Sequence, residues 1–295
     1  MQTASSNYRG RFAPSPTGSL HPGSLLTALA SFLQARSRSG QWHLRIDDLD
    51  TPRCVPGAAD AILRTLERFG LFWDGPVVYQ SRMQAAYDEA LTQLEREGRI
   101  YPCVCSRKSL KGMSAYPGHC RDRPIDCNRP HALRVKTSAC PVTFRDRLQG
   151  EQSYNLAAHG GDFVVRRRDR IIAYQLAVVI DDARQHITEI VRGCDLLSST
   201  PRQIHLQQLL GLTTPAYCHL PVLENRAGQK LSKQTGAPSV ENTAPGPLLC
   251  QLLAWLGHPP PEELQPAPPE DILPWAIAHW QPERLPRRTR ITVIS

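Results

Sequence analysis

Apolar and polar positions along the chain follow two periods, and the change from one to the other marks its elements. Residues 8–13 read as a short strand, and the proline-containing stretch 14–22 that follows reads as a loop. From 24 to 38 apolar residues recur at Leu25, Leu26, Leu29, Phe32 and Leu33, the spacing of one helix face, and Gly40 stops the run. Residues 42–46 alternate as a strand and end on Asp47-Asp48-Leu49-Asp50. This strand–loop–helix–strand unit predicts an α/β fold with a Rossmann-like, doubly wound parallel sheet. Helical patterns return at 58–69, 83–97 and 201–210, regular structure at 163–165 and 171–180, and a strand at 187–191.

The pattern breaks between 101 and 154, where cysteines, prolines and basic residues crowd together. An insertion at about 101–160 in a catalytic domain spanning 8–235 accounts for the break. Residues 236–247 read as a linker. A small helical C-terminal region, 236–295, follows, with helices at 248–256 and 271–280 separated by a proline-rich stretch. The basic tail at 284–290 is expected to be loosely held.

Charge and cysteine content narrow the function. Lys and Arg number 35 against 27 Asp and Glu, a net charge of +8, which suits a polyanionic partner such as RNA or a nucleotide. No apolar run is long enough for a membrane span, and the first ten residues are too polar for a signal peptide, so a cytoplasmic protein is expected. In a reducing compartment, nine cysteines that cluster point to metal and not to disulfides. Cys103, Cys105 and Cys120 supply three thiolates for a zinc ion, with His119, Tyr116 or water as fourth ligand; spacing alone favours the imidazole of His119. Arg166-Arg167-Arg168 with Arg170, and the basic stretch 121–134, are candidate phosphate contacts for RNA.

Two short motifs carry chemistry. Gly18-Ser19-Leu20-His21-Pro22-Gly23-Ser24 leads directly into the first long helix. Glycines that let backbone approach a phosphate, a helix N-terminus pointing at it and a histidine donor together make a phosphate-handling site. Far downstream, Lys230-Leu231-Ser232-Lys233 supplies a cationic loop. Together they resemble the paired signature sequences of the class I aminoacyl-tRNA synthetases. That resemblance implies ATP-dependent activation of an amino acid, with Mg2+ accompanying ATP. It gives catalytic roles to His21, Lys230 and Lys233 and ATP binding to His21, Gly23, Ser24 and Lys233. Pro22 stands where many family members have a larger apolar residue.

The phrase Arg11-Phe12-Ala13-Pro14-Ser15-Pro16-Thr17-Gly18 is similar to the glutamyl branch of that family. A substrate with two carboxylates and one ammonium calls for arginine forks and an acidic partner. The resemblance places L-glutamate against Arg11, Phe12, Ala13, Pro14 and Ser15, with Arg192 as a second fork, Tyr174 as a hydroxyl and Asp47 beside the ammonium. Family members usually carry glutamate at the position of Asp47. In the cysteine cluster the resemblance favours Tyr116 over His119 as the fourth zinc ligand.

The likeness runs from Arg11 to Lys233. It is strongest to the short paralogues of glutamyl-tRNA synthetase, which have no anticodon-binding domain. These activate glutamate without tRNA and transfer it to queuosine at the wobble position of tRNA(Asp). A monomer acting on ATP, glutamate and tRNA(Asp) carrying queuosine, away from membranes, is therefore expected. The alternatives are a minimal enzyme charging tRNA(Glu) and a catalytically retired zinc-bearing RNA-binding protein.

Overall fold

The structure, a computed structural model, describes residues 7–106, 108–231 and 239–293. The first half begins with β1 (Arg9–Phe12), α1 (Pro22–Arg36), β2 (Gln41–Ile46), α2 (Ala58–Arg68), β3 (Val78–Tyr79) and α3 (Gln84–Arg96). The inserted stretch contributes β4 (Ile100–Cys103), β5 (Ala132–Val135), β6 (Val142–Asp146) and β7 (Gly150–Tyr154). Then come β8 (Phe163–Arg166), α4 (Tyr174–Arg184), β9 (Glu189–Gly193), α5 (Thr200–Leu209), β10 (Ala216–Leu220) and β11 (Val222–Glu224). The chain closes with α6 (Pro245–Trp255), α7 (Pro269–Ala278) and β12 (Arg290–Thr292).

The central parallel strands form two ladders. One has the order β1-β2-β3; the other runs β7-β6-β10-β9, with only β7 antiparallel to its neighbour. They meet where Thr188 donates its N–H to the Arg9 carbonyl (2.9 Å) and its hydroxyl accepts the Arg9 N–H (2.9 Å). Strand order therefore runs outward in opposite directions from β1 and β9. This is the switch point of a doubly wound sheet, where ligands bind beyond the carboxyl ends of the strands.

Alternation along the central strands fixes what each face does. On β2, Trp42 and Leu44 join the core with α1, while Arg45 points the other way, to Asp182 of α4. On β1, Phe12 joins the same core and Arg11 reaches the same aspartate. The α1 helix is buried over almost its whole length, not along one stripe: Leu25, Leu26, Leu29, Phe32 and Leu33 are covered, and so are Ser31 and Gln34. The polar pair is satisfied, since Trp42 Nε1 donates to Ser31 Oγ (2.9 Å) and Trp280 Nε1 to Gln34 Oε1 (2.8 Å). Each buried leucine or phenylalanine contributes roughly 1.5–3 kcal/mol.

Two features differ from the sequence reading. The basic tail is pinned, because β12 pairs parallel with β11 and Leu285, Ile291 and Val293 enter the core that holds α1, α6 and α7. The inserted stretch divides its strands: β4 and β5 join β8 in a separate antiparallel sheet, while β6 and β7 extend the central one. Both rest on pairings between distant segments, which local periodicity does not encode. Among the described residues no helix is long and apolar enough to cross a membrane.

Candidate active site and metal centre

A cleft of about 780 Å³ opens at the switch point. Every described residue expected at the ATP and glutamate sites lines it: Arg11, Phe12, Ala13, Pro14, Ser15, His21, Gly23, Ser24, Asp47, Tyr174, Arg192 and Lys230. They arrive from the ends of β1, β2 and β9, the starts of α1 and α4, and the loop after β11. Lys233 lies outside the described residues.

On the phosphate side, α1 begins at Pro22, whose fixed φ and missing N–H suit a first helical position. His21 caps the helix: its Nδ1 accepts the Ser24 N–H (3.3 Å), and its Nε2 lies 3.0 Å from Ser24 Oγ. Gly23 makes this arrangement fit. A Cβ there would sit 3.1 Å from the histidine ring and 3.6 Å from the Leu231 carbonyl of the downstream cationic loop. Gly18 has φ of +129°, a backbone conformation that L side chains rarely adopt. Across the mouth, Lys230 Nζ pairs with Asp195 at 2.6 Å. Both groups are partly exposed, so the pair is weak and readily opened.

On the amino-acid side, Arg192 is 4% exposed. Its Nε donates to His219 Nε2 (3.0 Å), and its Nη2 donates to Thr200 Oγ1 and Gln203 Oε1 (both 2.7 Å). Its Nη1 has no hydrogen-bond partner among the described residues. Beneath the guanidinium lies the Tyr217 ring, 5.4 Å from its carbon to the centroid. His219 Nδ1 lies 2.6 Å from Asp146 Oδ2, and both side chains are fully buried. Burial lowers the His219 pKa from its usual value, outweighing the Asp146 hydrogen bond that raises it.

Beside the cleft lies a buried charge network of which the sequence reading named only Arg11 and Asp47. Arg11 Nε pairs with Asp182 Oδ1 at 3.1 Å. Arg45, with no exposed side-chain surface, bonds Asp182 (2.6 Å) and Asp47 (2.8 Å) and lies 3.7 Å from Asp181. Asp47 thus gives one oxygen to Arg45 and lines the cleft. Burial raises the Asp47 pKa against the opposing pull of Arg45. The neighbouring acids of α4 part company. Burial pushes Asp181 up to about 6, with only neutral donors, Tyr87 and Gln80, bonding it directly. Burial also opposes ionisation of Asp182, but Arg11 and Arg45 overcome it and hold its pKa below the usual range.

Away from the cleft, Cys103, Cys105 and Cys120 converge, their sulfurs within 4.8 Å of one another. The Tyr116 hydroxyl lies 3.5 Å from Cys103 Sγ and 3.7 Å from Cys105 Sγ, and the Cys105 and Cys120 sulfurs are 3.6 Å apart. A tetrahedral zinc with S ligands at about 2.3 Å and an O ligand at about 2.0 Å has edges of about 3.8 Å (S–S) and 3.5 Å (S–O). The donor set fits. The Tyr116 oxygen also accepts the Cys120 N–H (3.0 Å), a bond that favours the anion against the burial and neighbouring thiols that raise its pKa, and the Arg134 guanidinium lies over its ring at 3.9 Å. His119, by contrast, is exposed and outside the converging group.

Sequence reasoning missed Asp146, His219, Thr200, Gln203, Arg45, Asp181 and Asp182 as parts of the site. His219 sits in the apolar run before Pro221 and the aspartates close an apolar helix, so a polar residue at an expected core position was the available signal.

Comparison with known proteins gives the family. Residues 7–245 match the family described as tRNA synthetases class I (E and Q), catalytic domain. The chain is 53% identical over 286 residues to a glutamyl-Q tRNA(Asp) synthetase of Chromobacterium violaceum, covering 95% of each. It is 51% identical over 284 residues to that of Thiobacillus denitrificans, covering 94% of each. In fold it is similar to the crystal structure of a glutamate-tRNA synthetase from Elizabethkingia anophelis, with a TM-score of 0.81 at 24% identity over 95% of this chain and 67% of that one. The chain thus belongs to the class I tRNA synthetases of the E and Q type and, within them, to the glutamyl-Q tRNA(Asp) synthetase family.

Proposed function

We propose that this protein activates glutamate with ATP in the absence of tRNA and transfers it to the queuosine base of tRNA(Asp). The observation that carries the reading is the cleft. One cavity joins a capped helix N-terminus and the first lysine of a cationic loop to a pocket walled by Arg192, Arg11 and Asp47. What supports queuosine as acceptor is the identity of 51–53% to relatives of that name across nearly their whole lengths.

In the first step an oxygen of the glutamate α-carboxylate attacks the α-phosphorus of ATP. The bond to the bridging oxygen breaks and pyrophosphate leaves with the electron pair. The α1 N-terminus, with His21 and Lys233, meets the charge that develops on the phosphates, and Mg2+ accompanies the nucleotide. Arg192 holds a substrate carboxylate through Nη1, and Asp47 takes the ammonium. Tyr174 presents its hydroxyl from the first turn of α4. In the second step a hydroxyl on the ring of queuosine attacks the acyl carbon, and AMP leaves. Cys103, Cys105, Cys120 and Tyr116 would hold a structural zinc that ties the inserted loops to β4. The protein works as a cytoplasmic monomer.

Two measurements test this. ATP–pyrophosphate exchange with glutamate should run without RNA, and exchange only on adding tRNA counts against the reading. Labelled glutamate should pass to tRNA(Asp) from cells that make queuosine, but not to the pool from cells that cannot. Equal transfer to both pools, or transfer lost when the terminal ribose is oxidised by periodate, moves the assignment to an enzyme charging tRNA(Glu).

A further inference from the structure

We propose that Asp146 and His219 form a positioning pair that fixes Arg192 in the orientation needed for the substrate carboxylate. The proposal rests on the assignment of Arg192 to glutamate.

The hydrogen bonds admit one proton arrangement. A guanidinium only donates, so His219 Nε2, which receives Arg192 Nε at 3.0 Å, must carry a lone pair. The ring proton is then on Nδ1 and donates to Asp146 Oδ2 at 2.6 Å. Asp146 is itself locked, because its Oδ1 accepts three backbone N–H groups: Leu148 (3.0 Å), Gln149 (2.9 Å) and His219 (3.2 Å). The chain of contacts runs from the β6–β7 turn through Asp146 and His219 to Arg192. Thr200 and Gln203 on α5 hold the Nη2 edge. With Nε and Nη2 engaged and Tyr217 beneath the plane, the guanidinium cannot turn, and Nη1 is the edge left for a ligand. A preset donor saves the ordering cost that a loose arginine incurs at each binding event. The inserted hairpin thereby acts on amino-acid binding without touching the amino acid.

The discriminating variants are His219→Asn and His219→Gln. Asparagine puts its amide nitrogen near the place of Nδ1, keeping the Asp146 bond but giving Arg192 Nε no acceptor. Glutamine carries its oxygen near the place of Nε2 and restores that acceptor. In ATP–pyrophosphate exchange, His219→Asn should raise the KM for glutamate roughly tenfold or more, the scale of one lost bond to a charged group. The KM for ATP and kcat should stay within about twofold, and His219→Gln, which restores the acceptor but not the Asp146 bond, should recover only part of the loss. A His219→Asn enzyme whose two KM values and kcat move together has lost structure, and the proposal falls. Nitrogen NMR of the wild-type chain gives a readout independent of substrate: His219 should show a pyridine-type Nε2 and a pyrrole-type Nδ1, and the opposite tautomer overturns the pair. Arg192→Ala separates the two ideas. If it leaves the glutamate KM unchanged, the pocket assignment is wrong and the proposal goes with it. If it raises that KM while His219→Asn does not, the positioning pair alone is wrong.

Discussion

Arg45 bridges three aspartates with no exposed side-chain surface, and burial opposes ionisation of the two that adjoin in sequence, yet their pKa values shift in opposite directions. Asp182 contacts two guanidiniums; Asp181 is bonded by a phenol and an amide, so desolvation wins there. The folded pKa of Asp181, about 6, lies above its unfolded value, so the folded state holds that proton more tightly. Its contribution to stability is fully present below the unfolded value of about 4 and is lost as pH rises through about 6. Asp181→Asn removes this dependence. Denaturant melts of the variant and wild type should show the variant gaining relative stability between pH 4 and 6, by on the order of 2–3 kcal/mol. A constant difference across that range would place the titration elsewhere. None of this was legible in the chain. Arg45 and Asp182 are 137 residues apart, and local spacing carries no trace of their contact.

Among the elements, the start of α1 and the inserted loops were the most legible, because each is a local construction. Proline, glycine and a capping side chain define a helix N-terminus within a few residues. His21→Ala should slow adenylate formation roughly a hundredfold, the scale of one lost transition-state donor, with glutamate binding little changed. Lys233→Ala should do the same. Unaltered exchange in both variants would remove these motifs from the chemistry. For the metal centre, spacing pointed to His119 and the resemblance to Tyr116; the Tyr116 hydroxyl lies beside the Cys103 and Cys105 sulfurs while His119 is exposed, because a hydroxyl at the end of a ring reaches a point that backbone spacing does not reveal. Protein purified without added zinc should hold one zinc per chain. Tyr116→Phe should weaken its retention and His119→Ala should not. Full retention after Cys105→Ser with Cys120→Ser would end the zinc assignment.

For the whole molecule, the basic excess becomes a distribution. Arg121 and Arg167 are spent on Asp162 and Asp50, which leaves other exposed arginines of the insertion and its neighbouring turn, such as Arg123, Arg129 and Arg170, for phosphates. Each of these changed to Ala should weaken tRNA binding and lower the slope of log affinity against log salt by about 1. ATP–pyrophosphate exchange should be unaffected in the same variants. A slope that stays constant would move the RNA interface to another face.

The sequence by itself determined the parallel α/β class, the capped helix start at His21 and Pro22, the phrase across the end of β1 that lines the cleft, and the three thiolates that converge. Each is written in neighbouring residues, where turn chemistry, capping and period act over a few positions. Only the tertiary structure decided how the strands pair across β1 and β9, that the C-terminal tail is held as β12, that β6 and β7 belong to the central sheet, and which buried polar groups hold Arg192, Arg11 and Asp47. Those outcomes depend on closing long loops so that buried charges find partners. Desolvation makes an unpaired buried charge costly, but the partner's position in the chain is set by the path of the sheet, which no local pattern records.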